Sequence, residues 1–422
     1  MKKSKKWSGA VLACIILQSL CGCDHEEKNI QPVDVDTVLN WQIQAETMPK
    51  SKELPILSFY PVQISEATLE DTVKSFMESK HFTYTASPPQ TGNYPGSYFF
   101  TTWSDHLYQA EKDGNASYSF NLDAEGNTVS FGLSFSTFEN NYIRQTFILP
   151  DKETIPGHAY TADRFQQGVD LDFLSCEDAK EKTKEFLGNL GLPVDNLEFT
   201  IYTIDLETLQ TVADDMYAAG RFEVIPASTT PSGGVKESNT MLYKQYAKKD
   251  ECYYIIVRFT YDGIPLYDDE VGLSDGTNSA TMGKMDGENP PFRIAGPICQ
   301  LLLEQDGFTY AWIATSTCLN FEAMGKPKPV LSFQEAREAL ASLYAGKVIV
   351  KPDSVQKLEL CYIPVYHEES KSFTLVPAWH AELYTYPYPD EPDHIRVEQV
   401  FLDAYDGHQL YPPEEVSADA AS

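Results

Sequence analysis

Ser332–Gly346 reads SFQEAREALASLYAG, and the organisation of the whole chain follows from that stretch. Ser332 with Glu335 three residues later is a capping-box pattern, in which hydroxyl and carboxylate each satisfy a backbone N–H at a helix start. Ala336, Ala339, Leu340 and Leu343 then recur at three- and four-residue spacing, which gives the predicted helix one apolar face, and Gly346 stops it. The pattern occurs twice more. Ser175 opens SCEDAKEKTKEFLGNLG with Asp178 at the reciprocal position; Ala179, Thr183, Phe186, Leu187 and Leu190 line the face, and Gly191 ends it. Ser65 opens SEATLEDTVKSFMESK, with Leu69, Val73 and Phe76 spaced for burial.

Strand-like runs follow each helix. QKLELCYIPVYHEE, FTLVPAWHAELYTY and RVEQVFLDAYDGHQLY come after the last, and LEFTIYTIDLETL and CYYIIVRFTYDGIPLYDDEVGL after the middle one. SYFFTTWSD, ASYSFNLDAEGNTVSFGLSFS and YIRQTFIL come after the first. Asp262-Gly263 and Asp406-Gly407 are turn dipeptides, because glycine accepts positive φ without a steric penalty. A helix followed by an antiparallel meander buries its stripe against one sheet face. The expected fold class is therefore α+β, built of tandem units of one helix packed on an antiparallel sheet. The units span residues 55–165, 166–325 and 326–412, and the last, with cap, stripe and three strand runs inside 328–412, is expected to fold by itself. Residues 23–54 are polar and acidic apart from VLNWQI around Trp41 and read as a tether, while 413–422 read as a disordered tail. The Gly/Pro-rich stretch at 226–240 reads as an exposed loop.

Residues 1–22 have another character. Lys2, Lys3, Lys5 and Lys6 precede a mostly apolar run from Trp7 to Leu20. That run is short of the ~20 residues that cross a bilayer, and the layout is that of a secretory signal. Its end, Leu20-Cys21-Gly22-Cys23, resembles the bacterial lipobox. The resemblance implies cleavage before Cys23 and a lipid on its thiol, with palmitate among the acyl chains; Cys21 leaves with the signal.

The last unit also carries a resemblance. LSFQEAREAL, LELCYIPVY, LVPAWHAEL and VFLDAYDGHQLY look like the pattern of PepSY-like domains: a capped helix, a strand, a strand near Pro-x-Trp, and a strand closing on Asp-Ala-x-x-Gly. VRFTYDGIPLYDDEV in the middle unit is similar to the preceding domain of the extracytoplasmic regulators of the cell-wall histidine kinase. The whole chain resembles an uncharacterised group of Firmicutes lipoproteins, and the resemblance covers roughly Leu174 to Tyr411. It implies an envelope location and a regulatory or binding role. The chain departs from those regulators in carrying a lipid anchor instead of a transmembrane helix, and in its extra N-terminal unit.

Charge narrows the partners. The chain holds 32 Lys and Arg against 62 Asp and Glu, a net charge of −30, and loss of the leader makes it more acidic still. Such a surface repels nucleic acid and anionic lipid headgroups, so membrane attachment is expected from the acyl chains and no nucleic-acid partner is expected. The 25 Tyr and 22 Phe rule out a disordered acidic chain. Beyond Cys23 come Cys176, Cys252, Cys299, Cys318 and Cys361, an odd set at long spacings that resembles no disulfide framework or metal motif.

No nucleophile elbow, zinc helix or phosphate loop is present in the sequence, so no catalytic residues, metal or cofactor are assigned. His367, His380, His394 and His408 share the last unit; His380 lies in a strand, His367 and His394 in charged loop-like stretches, and His408 in a turn. Their scatter reads as polar hairpin chemistry rather than a ligand set. Asp268, Asp269 and Glu270 lack the spacing of a calcium loop, and 123–127 (DAEGN) reads as a hairpin turn. Tyr384, Tyr386 and Tyr388 alternate at strand period, so their rings share one side. Pro387 and Pro389 bar the segment from a central strand and place it on an edge or an exposed arm, the candidate binding surface. The expected protein is a lipid-anchored extracytoplasmic binding or regulatory protein without catalysis, with an envelope protein as partner. The alternatives are a ligand- or glycan-binding lipoprotein using the aromatic surface and, third, a metal-assisted hydrolase using the C-terminal histidines.

Overall fold

A computed structural model describes residues 38–43, 52–60, 62, 64–80, 90–91, 97–103, 114–122, 128–137, 165–218, 246–267, 297–315, 320–345, 354–367, 372–385 and 396–410. In chain order the elements are β1 (Asn40–Trp41), β2 (Glu53–Tyr60), α1 (Glu66–Ser79), β3 (Gln90–Thr91), β4 (Ser97–Trp103), β5 (Gly114–Leu122) and β6 (Thr128–Thr137). Then come β7 (Gln166–Gln167), α2 (Cys176–Asn189), β8 (Leu197–Ile204), α3 (Leu206–Ala218), β9 (Cys252–Tyr261), β10 (Ile264–Pro265), β11 (Ile298–Glu304) and β12 (Gly307–Thr315). The last are β13 (Asn320–Pro329), α4 (Phe333–Tyr344), β14 (Ser354–His367), β15 (Ser372–Thr385), β16 (Arg396–Asp403) and β17 (Gln409–Leu410). The architecture is α+β, with few helices and mostly antiparallel sheet.

The three helices expected from the serine caps are present. Ser332 and Glu335 form a full capping box: the Ser332 hydroxyl accepts from the Glu335 N–H, and the Ser332 N–H donates to the Glu335 carboxylate at 2.7 Å. At α2 the Ser175 hydroxyl accepts from the Asp178 N–H, but the shorter Asp178 side chain receives the Ser175 hydroxyl rather than its backbone N–H. Ser65 accepts from the Thr68 N–H at the start of α1. The buried faces follow the spacing: Leu69, Val73, Phe76 and Met77 on α1, Ala179, Thr183 and Leu187 on α2, Phe333, Ala336, Leu340, Ala341 and Tyr344 on α4. The helix α3, capped by Asp205 Oδ1 on the Thr208 N–H at 2.8 Å, was not anticipated; Asp205 ahead of Leu206 and Leu209 is the signal that could have found it.

The strands assemble differently from three separate meanders. β3 to β6, β12, β11, β9, β8 and β7 run consecutively in one ten-stranded sheet, with β10 against β9. Strands expected in the first and middle units therefore share a sheet, joined where Leu133 of β6 pairs with Ile313 of β12. Both α1 and α2 cover one face of it: Phe76 stacks on Phe135 at 4.3 Å, and Phe186 meets Phe135 and Phe308.

The second sheet has seven strands, and it corrects two expectations. β1 pairs in parallel with β14, and β2 lies against both β13 and β15, so segments of the expected 23–54 tether are sheet strands. Leu39, Leu54 and Leu57 are buried in the main core, because apolar residues inside a polar stretch still seek a sheet face. The last unit is likewise incomplete within 326–412. Tyr362 and Tyr405 donate their hydroxyls to the carbonyls of Pro55 and Leu54, and β2 and β13 extend the sheet beyond β15.

The residues of the last unit that looked most like a motif clamp the start of α4. Leu331 N–H donates to the Ala404 carbonyl at 2.7 Å, Ala404 N–H to the Pro377 carbonyl, and Trp379 Nε1–H to the Leu331 carbonyl at 3.2 Å. Gly407 closes the turn with φ +77°; a Cβ there would lie 2.9 Å from Ala339 Cβ, so glycine is needed for both conformation and close approach. Pro377, Trp379, Ala404 and Gly407 thus serve the fold, and their pattern carries no chemistry.

Candidate functional site

β15 presents two faces. Trp379, Ala381 and Leu383 point into the core beneath α4, whereas Val376, Ala378 and His380 point the opposite way. That second face meets the ten-stranded sheet. Leu266 bridges Tyr362 on the outer edge of β14, Tyr267 N–H donates to the Tyr362 carbonyl at 2.9 Å, and the Tyr267 ring lies over His380 and Phe401 at 4.8 and 5.0 Å.

The junction is polar at its centre. Arg258 of β9 makes a two-pronged pair with Glu359 of β14, at 2.5 and 3.0 Å, and their side chains are only 10% and 12% exposed. Lys357 reaches the same carboxylate at 2.7 Å, and Glu198 stands 3.8 Å from the guanidinium. Burial would raise the Glu359 pKa, but Lys357 and Arg258 outweigh it and hold the carboxyl down at about 2. Glu359 faces His380 across the β14–β15 ladder. His380 is buried, stacked on Phe401 at 5.0 Å, with Nε2 against Gln399 Oε1. Its Nδ1 has no hydrogen-bond partner among the described residues, which fits a neutral ring carrying its proton on Nε2. Burial, then the nearby Lys357, pushes its pKa down to about 4, against the pull of Gln399 and Glu359. This constellation joins two sheets; His380 is enclosed between aromatic rings.

A second concentration of charge lies toward the Cys252 end of β9. An open cleft is lined by Val169, Asp170, Asp172, Thr203, Lys248 and Glu251, with Asp205 beside them. The acids hold backbone in place: Asp170 accepts the Cys176 N–H at the start of α2, Asp205 caps α3, and Glu251 accepts the Leu206 N–H at 3.1 Å. Asp172 pairs with Lys248, which lowers the carboxyl pKa and raises that of the ammonium. Asp403, Asp406 and His408 also bring ligand atoms within 4.8 Å of one another. Their oxygens shape the turn, Asp403 accepting the Tyr405 N–H at 2.7 Å and Asp406 the His408 N–H at 3.0 Å.

The residues singled out in the sequence fall as follows. Tyr384 is half-buried in β15, opposite Ser354 on one side and Val397 on the other. It is thus in a central strand, not on an edge: the strand ends at Thr385, before the prolines that were expected to exclude it. Cys23, Tyr386, Tyr388, His394, Asp268, Asp269, Glu270 and the DAEGN turn lie outside the described residues. His367 is the last residue of β14 rather than part of a loop, while His408 lies just after the turn at 404–406, next to β17. The structure does not bring His380 and His408 into one site, since one is enclosed under Tyr267 and the other exposed. Sequence reading missed Arg258, Lys357, Glu359 and Gln399. The available signal was a charge inside an otherwise apolar strand run, Arg258 in CYYIIVRFTY and Glu359 in LELCY, which implies a buried partner. Among the described residues Cys176, Cys252, Cys299 and Cys361 form no disulfide with one another, and burial raises the pKa of Cys176, Cys252 and Cys299.

No family model matches the chain, and no curated protein matches it either. Among solved structures it is similar to an uncharacterized protein from Eubacterium rectale, at 12% identity and a TM-score of 0.49, over 86% of this chain and 87% of that one. Among the described residues no helix is long and apolar enough to cross a membrane.

Proposed function

We propose that the protein is a lipid-anchored extracytoplasmic binding or regulatory protein of the cell envelope, working without catalysis. The observation that carries the reading is the leader, where Leu20-Cys21-Gly22-Cys23 follows four lysines and a short apolar run. The C-terminal arrangement of α4 on an antiparallel sheet, with its clamp of Pro377, Trp379, Ala404 and Gly407, supports likening that unit to PepSY-like domains. The charged groups with the most structured surroundings support binding over chemistry, because Arg258, Glu359 and His380 are engaged in joining the sheets. Partner contact is assigned to Tyr384, Tyr386 and Tyr388, and the partial exposure of Tyr384 supports that assignment.

Cell fractionation tests the anchor. Cys23→Ser releases the protein from membranes or leaves the signal uncut, whereas Cys21→Ser behaves as wild type; an intact mass with an unmodified Cys23 contradicts the reading. On envelope extracts, the triple change of Tyr384, Tyr386 and Tyr388 to Ala abolishes capture of the partner at unchanged melting temperature. Capture at wild-type level removes the aromatic surface from the proposal, and so does unfolding of the variant. Hydrolysis of an envelope substrate that depends on His367, His380, His394 or His408 contradicts the non-catalytic role.

A further inference from the structure

The span between the lipid-bearing cysteine and the folded body is much shorter than the polar stretch 23–54 suggests. Leu39 is 1% exposed in the main core, Asn40 and Trp41 pair with Ser354 and Val355 of β14, and the Gln42 N–H donates to the Val355 carbonyl at 3.0 Å. From α4, the Arg337 guanidinium lies 4.4 Å over the Trp41 ring, a cation–π contact that adds to the backbone pairing. The first described segment is therefore clasped to the outer edge of the C-terminal sheet, and not to the ten-stranded sheet.

We infer that this clasp orients the protein at the membrane, holding the C-terminal sheet and α4 next to the bilayer and the acidic cleft away from it. The inference rests on the lipid-anchor reading of Cys23. Residues 24–37 are all that separate Cys23 from the clasp. A chain of that length reaches at most ~50 Å fully extended, and averages ~20 Å as a coil. The ten-stranded sheet meets β14 through Arg258 and Leu266, at one end of β9, while Thr203, Glu251 and the cleft gather at the Cys252 end. At ~3.3 Å per residue the six steps from Cys252 to Arg258 set the cleft ~20 Å from that junction. The net charge of −30 adds repulsion from anionic headgroups, which keeps the acidic body from lying flat.

The test uses the full-length acylated protein in vesicles of zwitterionic and anionic phospholipid with an energy-acceptor dye on the headgroups. A fluorescent amino acid replaces Glu338, one residue from Arg337, or Asp306, in the turn between β11 and β12 beside Cys252. Strong transfer from position 338 and weak transfer from 306 is the expected result. Inserting about twenty Gly and Ser residues after Asp24 lowers transfer at 338 toward the level at 306. Flotation with the vesicles but equal or reversed transfer overturns the orientation alone. Failure to float overturns the anchor reading and the orientation with it.

Discussion

His380 is a buried, neutral histidine placed beside three charges, and its surroundings dictate how the molecule responds to acid. Its pKa falls from an ordinary 6.5 to about 4 because burial and Lys357 disfavour the imidazolium. Between those values the unfolded chain binds the proton and the folded one does not, so stability is lost as pH falls through that window. The loss is on the order of 3 kcal/mol once both forms are protonated. Glu359 adds to it at lower pH: its pKa drops from 4.5 to about 2, so the stabilisation from its pairing is present above 4.5 and is lost toward 2. Chemical denaturation of wild type and His380→Gln at a series of pH values checks this. The substitution is expected to flatten the slope between pH 6.5 and 4 and to leave the steeper fall below it; an unchanged slope would assign the acid sensitivity elsewhere.

Single elements obey local chemistry, which is why most of the helices and the C-terminal strands could be read directly. Ser65, Ser175 and Ser332 mark three helix starts, and apolar spacing gives the buried faces, because capping and periodicity depend on residues within one or two turns. The β11–β12 hairpin was passed over, although Leu301, Leu302 and Leu303 precede a turn at Gly307 whose φ is +104°. Nothing local assigns β2 to strands β13 and β15, some three hundred residues later, and the same holds for the join of β6 to β12. The candidate site was legible only in part: His380 was read as a strand residue with a buried face, but its charged neighbours come from β9 and β14 through long-range contact. The clamp on α4 allows a comparison at this scale. Ser332→Ala removes both hydroxyl bonds to Glu335, the cap bond among them, and is expected to cost about 1 kcal/mol. Gly407→Ala forces a side chain into positive φ and against Ala339, so its cost is expected to be the larger of the two. Equilibrium unfolding of both variants checks the order, and a harmless Gly407→Ala would refute the close approach.

At the scale of the whole molecule, the repeat of helix and meander conceals a single folded body. The main apolar core holds Leu39 and Leu57 from the N-terminal region, Leu133 and Ile255 from the ten-stranded sheet, and Trp379 and Leu402 from the last unit. Cutting the chain before 326 would leave β15 without β2, Tyr362 and Tyr405 without their carbonyl acceptors, and β14 without Arg258 against Glu359. Lys357 stays within 2.7 Å of Glu359, but the fragment loses the apolar surface that β2 and β9 bury, and such burial is the dominant favourable contribution to folding. The joined body is also what allows a clasp at Trp41 to orient everything downstream. Denaturant unfolding of residues 38–410 beside the fragment 326–412, followed by far-ultraviolet circular dichroism, tests the single body most directly. One cooperative transition for the long chain and no cooperative transition for the fragment is the predicted result; a fragment that unfolds cooperatively at the same midpoint would contradict it.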